Sequence, residues 1–230
     1  MKKFTVFKMQ KGEWRPSWHH IGILLSMGLP MGLQYSITAV GSVILQSAVN
    51  RLGSAAVASV TAGGKVSTFF CCPFDALGGT MATFAGQNIG AGKPDRIHAG
   101  LRSAMLLGAV YAIAAGVVLS LFGQQIALLF MDSDEVQILE RAQQFLTVNS
   151  LSYLLLLMVN VFRFCIQGMG YSLLAVLAGL FEMVARTVIG FGLVPVFGFG
   201  AVCFANPFAW LMADVFLIPA YFICLKHVRK

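Results

Sequence analysis

The chain has 230 residues, of which 58% are hydrophobic and 11% charged, with a mean hydropathy of +0.80 and a formal net charge of +7. Soluble domains carry roughly 25% charged residues, so a water-soluble fold is excluded: it could not hide this much apolar surface, whereas lipid solvates it. The basic residues sit in short clusters between apolar runs, the pattern that orients membrane helices; no basic face interleaved with aromatics is present, which excludes nucleic acid as a partner.

A spanning helix needs about 20 apolar residues, and the chain offers six such runs, predicting an all-α polytopic membrane protein. A basic segment, residues 1–17, comes first and lacks the apolar core and cleavage site of a secretory signal. The first span is expected over 21–49, with Pro30 near its start and Gln34, Thr38, Ser42 and Gln46 repeating every four residues. After a turn at 50–53, the second is expected over 54–89. It carries Lys65, Pro73 and Asp75. The two charges are about 15 Å apart along the axis, too far to pair directly.

The second span leaves the membrane through residues 86–96, GQNIGAGKPDR. The glycines and Lys93 suggest a phosphate loop, but Gln87 stands where the first loop glycine belongs, and Pro94 replaces the magnesium-binding hydroxyl. The glycines fit a packing and turning role instead. Gly86 and Gly90 form a small-xxx-small face with Gln87 between them. Gly90 and Gly92 then end the helix, and Pro94 prevents its continuation.

The third span is expected over 100–122, followed by an acidic turn at Asp132, Ser133 and Asp134. The fourth, over 136–167, carries a polar stripe of Asn149, Tyr153, Asn160 and Gln167 with Arg163 on the same side. Such stripes face protein or water, not lipid. The fifth, over 172–194, places Glu182 and Arg186 at the i,i+4 spacing of an intrahelical ion pair. A loop at 195–200 leads to the sixth, over 201–225, which holds Asp214. Ionisable residues within spans are costly and therefore candidates for function; here these are Lys65, Asp75, Arg163, Glu182, Arg186 and Asp214.

Most lysines and arginines fall on the side of the N-terminus, the 90–95 turn and the tail, which places both termini in the cytoplasm. The five cysteines lie in apolar runs without zinc spacing and read as small helix residues. The histidines lie at span edges and loops, and no convergent catalytic set appears, so an enzyme is not expected. No cofactor is expected.

Several stretches together resemble the multidrug and toxic compound extrusion (MATE) transporters. They are GQNIGAGKPDR, the first span LLSMGLPMGLQYSITAVGSVILQSAVNRLG, FRFCIQGMG, FEMVAR and FANPFAWLMADVFLIPAYF. The likeness runs over residues 18–230 and matches the C-terminal six-helix lobe of that family. It implies half of a two-lobed bacterial plasma-membrane antiporter, in which a proton or sodium gradient drives export of amphipathic, often cationic, drug-like compounds by alternating access. The partner would be an N-terminal lobe or a second copy, and residues 1–17 would correspond to the interlobe linker. Gln34, Tyr35, Thr38, Asn149, Tyr153 and Asn160 would line the substrate cleft, with Met158 and Phe162 as adaptable apolar surface. Some members carry a cation-binding acid on the first helix of this lobe; here Thr38 is near that place, which leaves the coupling ion open. The competing expectation is a six-helix fragment or scaffold that transports nothing without a partner lobe.

Overall fold

The computed structural model describes residues 17–130 and 136–229. These form α1 (Trp18–Asn50), α2 (Ser54–Gly90), α3 (Asp95–Ala127), α4 (Val136–Leu151), α5 (Tyr153–Gly168), α6 (Ser172–Val188), a π-helical turn (Ile189–Leu193), α7 (Val194–Phe197) and α8 (Phe199–Val228). The basic segment up to residue 16 and the acidic turn at 132–134 lie outside the described residues.

Five helical units, with α6, the π turn and α7 counted as one, are each long and apolar enough to cross a bilayer, and α4 and α5, bent by 51°, together make a sixth. The fourth span is therefore not the continuous helix expected over 136–167. Neither proline nor glycine marks the break. Ser150 Oγ donates to the Thr147 carbonyl and Ser152 Oγ to the Val148 carbonyl. Serines that bond back to the preceding turn bend helices. The expected loop at 195–200 is also corrected. The chain stays helical through Phe197, turns on Gly198 alone at φ +59°, and restarts at Phe199.

The 86–96 stretch ends α2 as a Schellman motif. The Lys93 amide donates to the Asn88 carbonyl (2.8 Å) and the Gly92 amide to that of Ile89 (2.9 Å). Gly92, at φ +65°, is the left-handed residue; Gly90 is still helical. The close approach also sits one turn earlier than expected. Gly86 packs 3.5 Å from the Gly168 carbonyl, measured from where a Cβ would stand, and Ala82 lies directly against Gly168. A Cβ on Gly90 would meet nothing within 4 Å, so the expected Gly86–Gly90 face is an Ala82–Gly86 face against α5. Gln87 is exposed.

The main core lies among α2, α3, α5 and α8, with Phe74, Leu119, Leu157, Ile166, Leu217 and Tyr221 fully enclosed. A smaller cluster joins the end of α1 to the start of α8 through Leu45, Val49, Ile189 and Val202. α1 packs chiefly on α6. Its first turns expose Leu24, Leu25 and Leu29, an apolar surface suited to lipid or another protein.

Candidate functional site

Proline inside α8 explains one side of the site. Pro207 has no amide hydrogen, so the Cys203 carbonyl one turn earlier loses its helical donor. Asn149 of α4 supplies a replacement: its Nδ2 reaches the Cys203 carbonyl at 3.3 Å and that of Phe145 at 2.8 Å. The Asn149 oxygen accepts from Asn206 Nδ2 at 3.1 Å, and the Asn206 oxygen accepts from Arg186 Nε at 3.4 Å.

Arg186 leads to the charged centre. Its Nη2 pairs with Glu182 Oε2 at 3.2 Å along α6, and Glu182 Oε1 pairs with Arg163 Nη2 of α5. All three side chains are at least nine-tenths buried. Removing ions from water costs several kcal/mol each, so such a group survives only when its donors and acceptors are well matched. Here two guanidiniums share one carboxylate, and Arg163 Nε and Arg186 Nη1 have no hydrogen-bond partner among the described residues.

These residues line a cavity of about 500 Å³ that touches every long helix except α3. Arg163, Glu182, Arg186, Asn206, Asn149 and Asn160 form its polar side; Phe145, Leu156, Val159 and Trp210 supply apolar wall; and α2 contributes Ser67, Thr68, Cys71, Cys72 and Asp75. Asp75 is exposed at the rim and makes no ion pair among the described residues. A mostly apolar concavity with a few convergent polar groups is the usual form of a small-molecule site. No cluster of three or more His, Cys, Asp or Glu suited to a metal occurs among the described residues.

The expected cleft residues divide. Thr38, Asn149 and Asn160 line the cavity. Gln34 does not: it is buried and accepts from Gln167 Nε2 at 2.6 Å, tying α1 to α5. Four residues advance a helix by about 400°, so a stripe with that spacing drifts about 40° per step. Gln34 therefore faces the interior while Ser42, two steps on, is exposed and bonds only the Thr38 carbonyl. Tyr35 is 55% exposed and outside the cavity wall. Tyr153 is packed between Phe74 and Trp210 behind it. Met158 and Phe162 turn into the main core, so Phe145 and Trp210 provide the aromatic surface instead.

Lys65 is exposed on α2 and lies outside the cavity lining. Asp214 is buried outside that lining, and neither of its carboxylate oxygens has a donor among the described residues. Of the α2 lining, Asp75 was singled out from the sequence but Ser67, Thr68, Cys71 and Cys72 were not, although Ser67, Cys71 and Asp75 repeat every four residues, as do Thr68 and Cys72. Asn206 was also missed; its place beside an intrahelical proline was the available signal.

Residues 30–192 match the MatE family model, and the chain belongs to that family. Two Bacillus subtilis (strain 168) proteins are similar: the probable multidrug resistance protein YoeA, 29% identical over 133 residues, and the probable multidrug resistance protein YpnP, 26% identical over 120. These matches take in 58% and 52% of this chain but only 28% and 27% of those proteins. The fold matches a multidrug resistance MATE family transporter of the MOP superfamily solved in an outward-facing conformation, with a TM-score of 0.87 at 17% identity. All of this chain is covered, and it spans 52% of that one. The protein is thus a MATE-type lobe of membrane helices.

Proposed function

We propose that this chain is the C-terminal lobe of a cation-coupled antiporter, driven by protons or sodium ions, that exports amphipathic compounds from a bacterial cell by alternating access. The observation that carries this reading is the cavity, which joins a buried ionic centre to aromatic and aliphatic wall at mid-helix depth, with Asp75 exposed at its rim. Binding at mid-depth between helices interrupted by proline is the common plan of secondary transporters. The basic residues of the 90–95 turn and the tail favour a plasma-membrane orientation with both termini cytoplasmic. The partner is an N-terminal lobe or a second copy. The competing reading is a six-helix scaffold that transports nothing without a partner lobe.

The test is dye efflux in everted vesicles carrying the chain, with and without a co-expressed six-span N-terminal MATE lobe. Rhodamine 6G and fluorescein serve as cationic and anionic amphipathic dyes. Gradient-driven movement of either dye, abolished by a protonophore or by sodium removal, is expected. Folded, inserted protein that moves neither dye under any gradient, alone or paired, would establish the scaffold reading.

A further inference from the structure

We infer that the groove between α2 and α3 binds an anionic phospholipid, with the phosphate on Arg96 and one acyl chain laid along the groove. The groove shares no lining residue with the polar cavity, and the inference does not depend on whether the lobe transports. Its volume is about 420 Å³. Leu77, Met81 and Phe84 of α2 form one wall, and Ala99, Ser103 and Leu107 of α3 form the other. The two helices meet at its floor, where the ring of Phe84 lies on Gly100 with no room for a Cβ. Beyond the groove, Val110, Ile113 and Val117 continue the exposed apolar face of α3, so the groove opens to lipid and not to water.

The polar groups of the groove single out one residue. Thr80 Oγ1 donates to the Ala76 carbonyl at 2.8 Å, and Ser103 Oγ donates to that of Ala99 at 3.2 Å, so both hydroxyls are turned back on their own helices. Arg96 is then the lining side chain with donors left to offer, and it makes no ion pair among the described residues. The neighbouring acid, Asp95, pairs with Arg229 at 3.0 Å. A guanidinium fork suits the paired oxygens of a phosphate. From Arg96 to Leu107, α3 rises about 16 Å, close to half of the roughly 30 Å hydrocarbon core. With Arg96 at headgroup level the groove reaches mid-bilayer, the depth of one acyl chain in one leaflet. A bare hydrocarbon chain would leave Arg96 unused, and a soluble phosphate ester would leave the groove unfilled; a phospholipid uses both.

Native mass spectrometry of the purified chain, titrated with palmitoyl-oleoyl phosphatidylglycerol or the matching phosphatidylcholine, counts the bound lipids. The two share acyl chains and phosphate, and the choline of the second cancels its charge. The first phosphatidylglycerol is expected to bind at least about fivefold more tightly than phosphatidylcholine, the effect of one arginine on an anionic headgroup. Arg96→Gln removes that preference. Ser103→Phe puts a ring into the groove and weakens binding of both lipids. Arg102→Gln, on the same helix but outside the lining, leaves the preference unchanged. Arg96, Arg102 and Ser103 are all exposed, so each variant should keep the parent's unfolding temperature.

Equal binding of the two lipids, a preference that survives Arg96→Gln, or binding unaffected by Ser103→Phe overturns the site. Equal losses in Arg96→Gln and Arg102→Gln would mean a diffuse basic surface and overturn it as well. A dimer that dissociates in Ser103→Phe would give the groove to a second copy of the chain in place of lipid. None of these outcomes is read from dye efflux, so the transporter reading stands or falls separately.

Discussion

Gly168 of α5 lies against the backbone of Ala82 in α2 with no room for a Cβ between them. All three atoms nearest to such a Cβ are main chain, so neither side can yield by a rotamer change. Gly168→Ala is expected to cost about 1–3 kcal/mol, the usual penalty of overpacking. Gly90→Ala is expected to be neutral or slightly stabilising, because Gly90 is helical and faces open space. Heating each variant in detergent and measuring the monodisperse fraction by size exclusion checks both. Equal losses from the two substitutions would contradict this close approach.

Asn149 and Pro207 are coupled through one carbonyl. Asn149→Leu leaves the Cys203 carbonyl without its donor and Asn206 without its acceptor, a loss expected to cost about 1–3 kcal/mol. Pro207→Ala restores the amide that would bond Cys203 within α8. The Asn149→Leu penalty should therefore shrink in the Pro207→Ala background. A double-mutant cycle on thermal stability measures the coupling, and strict additivity would show that Asn149 does not serve the proline break.

The sequence carried these features unevenly. The spans, their approximate ends and the Glu182–Arg186 pairing follow from apolar run length and helical spacing, which are local. Arg163 joining that pair is a contact between α5 and α6, and no spacing within one helix announces it. The break at Ser152 depends on two serines choosing backbone over solvent. Tyr35 was misplaced because it follows Gln34 directly, and one residue's offset on a helix is about 100°. Gly90 misled because composition marks a glycine-rich turn but not which glycine takes the positive φ.

Glu182 is the shared acceptor of two buried guanidiniums, so its neutralisation is expected to be costly. Glu182→Gln should destabilise the lobe by about 3 kcal/mol, the lower end for breaking a buried ion pair, since the amide oxygen still accepts. Replacing Arg163, Glu182 and Arg186 together by methionine should cost less than Glu182→Gln alone, because no charge is then left unpaired. Thermal unfolding in detergent distinguishes the two. A triple variant less stable than the single one would mean that the ionic group is itself a net source of stability.

Asp75 presents the opposite case: it lines the same cavity, yet it is exposed and without an ion pair among the described residues. Substitution of such a residue shifts stability by no more than about 0.5 kcal/mol. Asp75→Asn should therefore unfold at the parent's temperature while changing dye efflux or its gradient dependence, because it removes the exposed charge from the cavity rim. Glu182→Gln lowers stability first, so any change in its efflux must be normalised to folded protein; Asp75→Asn needs no such correction. A folded Asp75→Asn variant with unchanged efflux and unchanged response to protonophore and sodium would take Asp75 out of the transport cycle and leave the arginine side of the cavity as its working face.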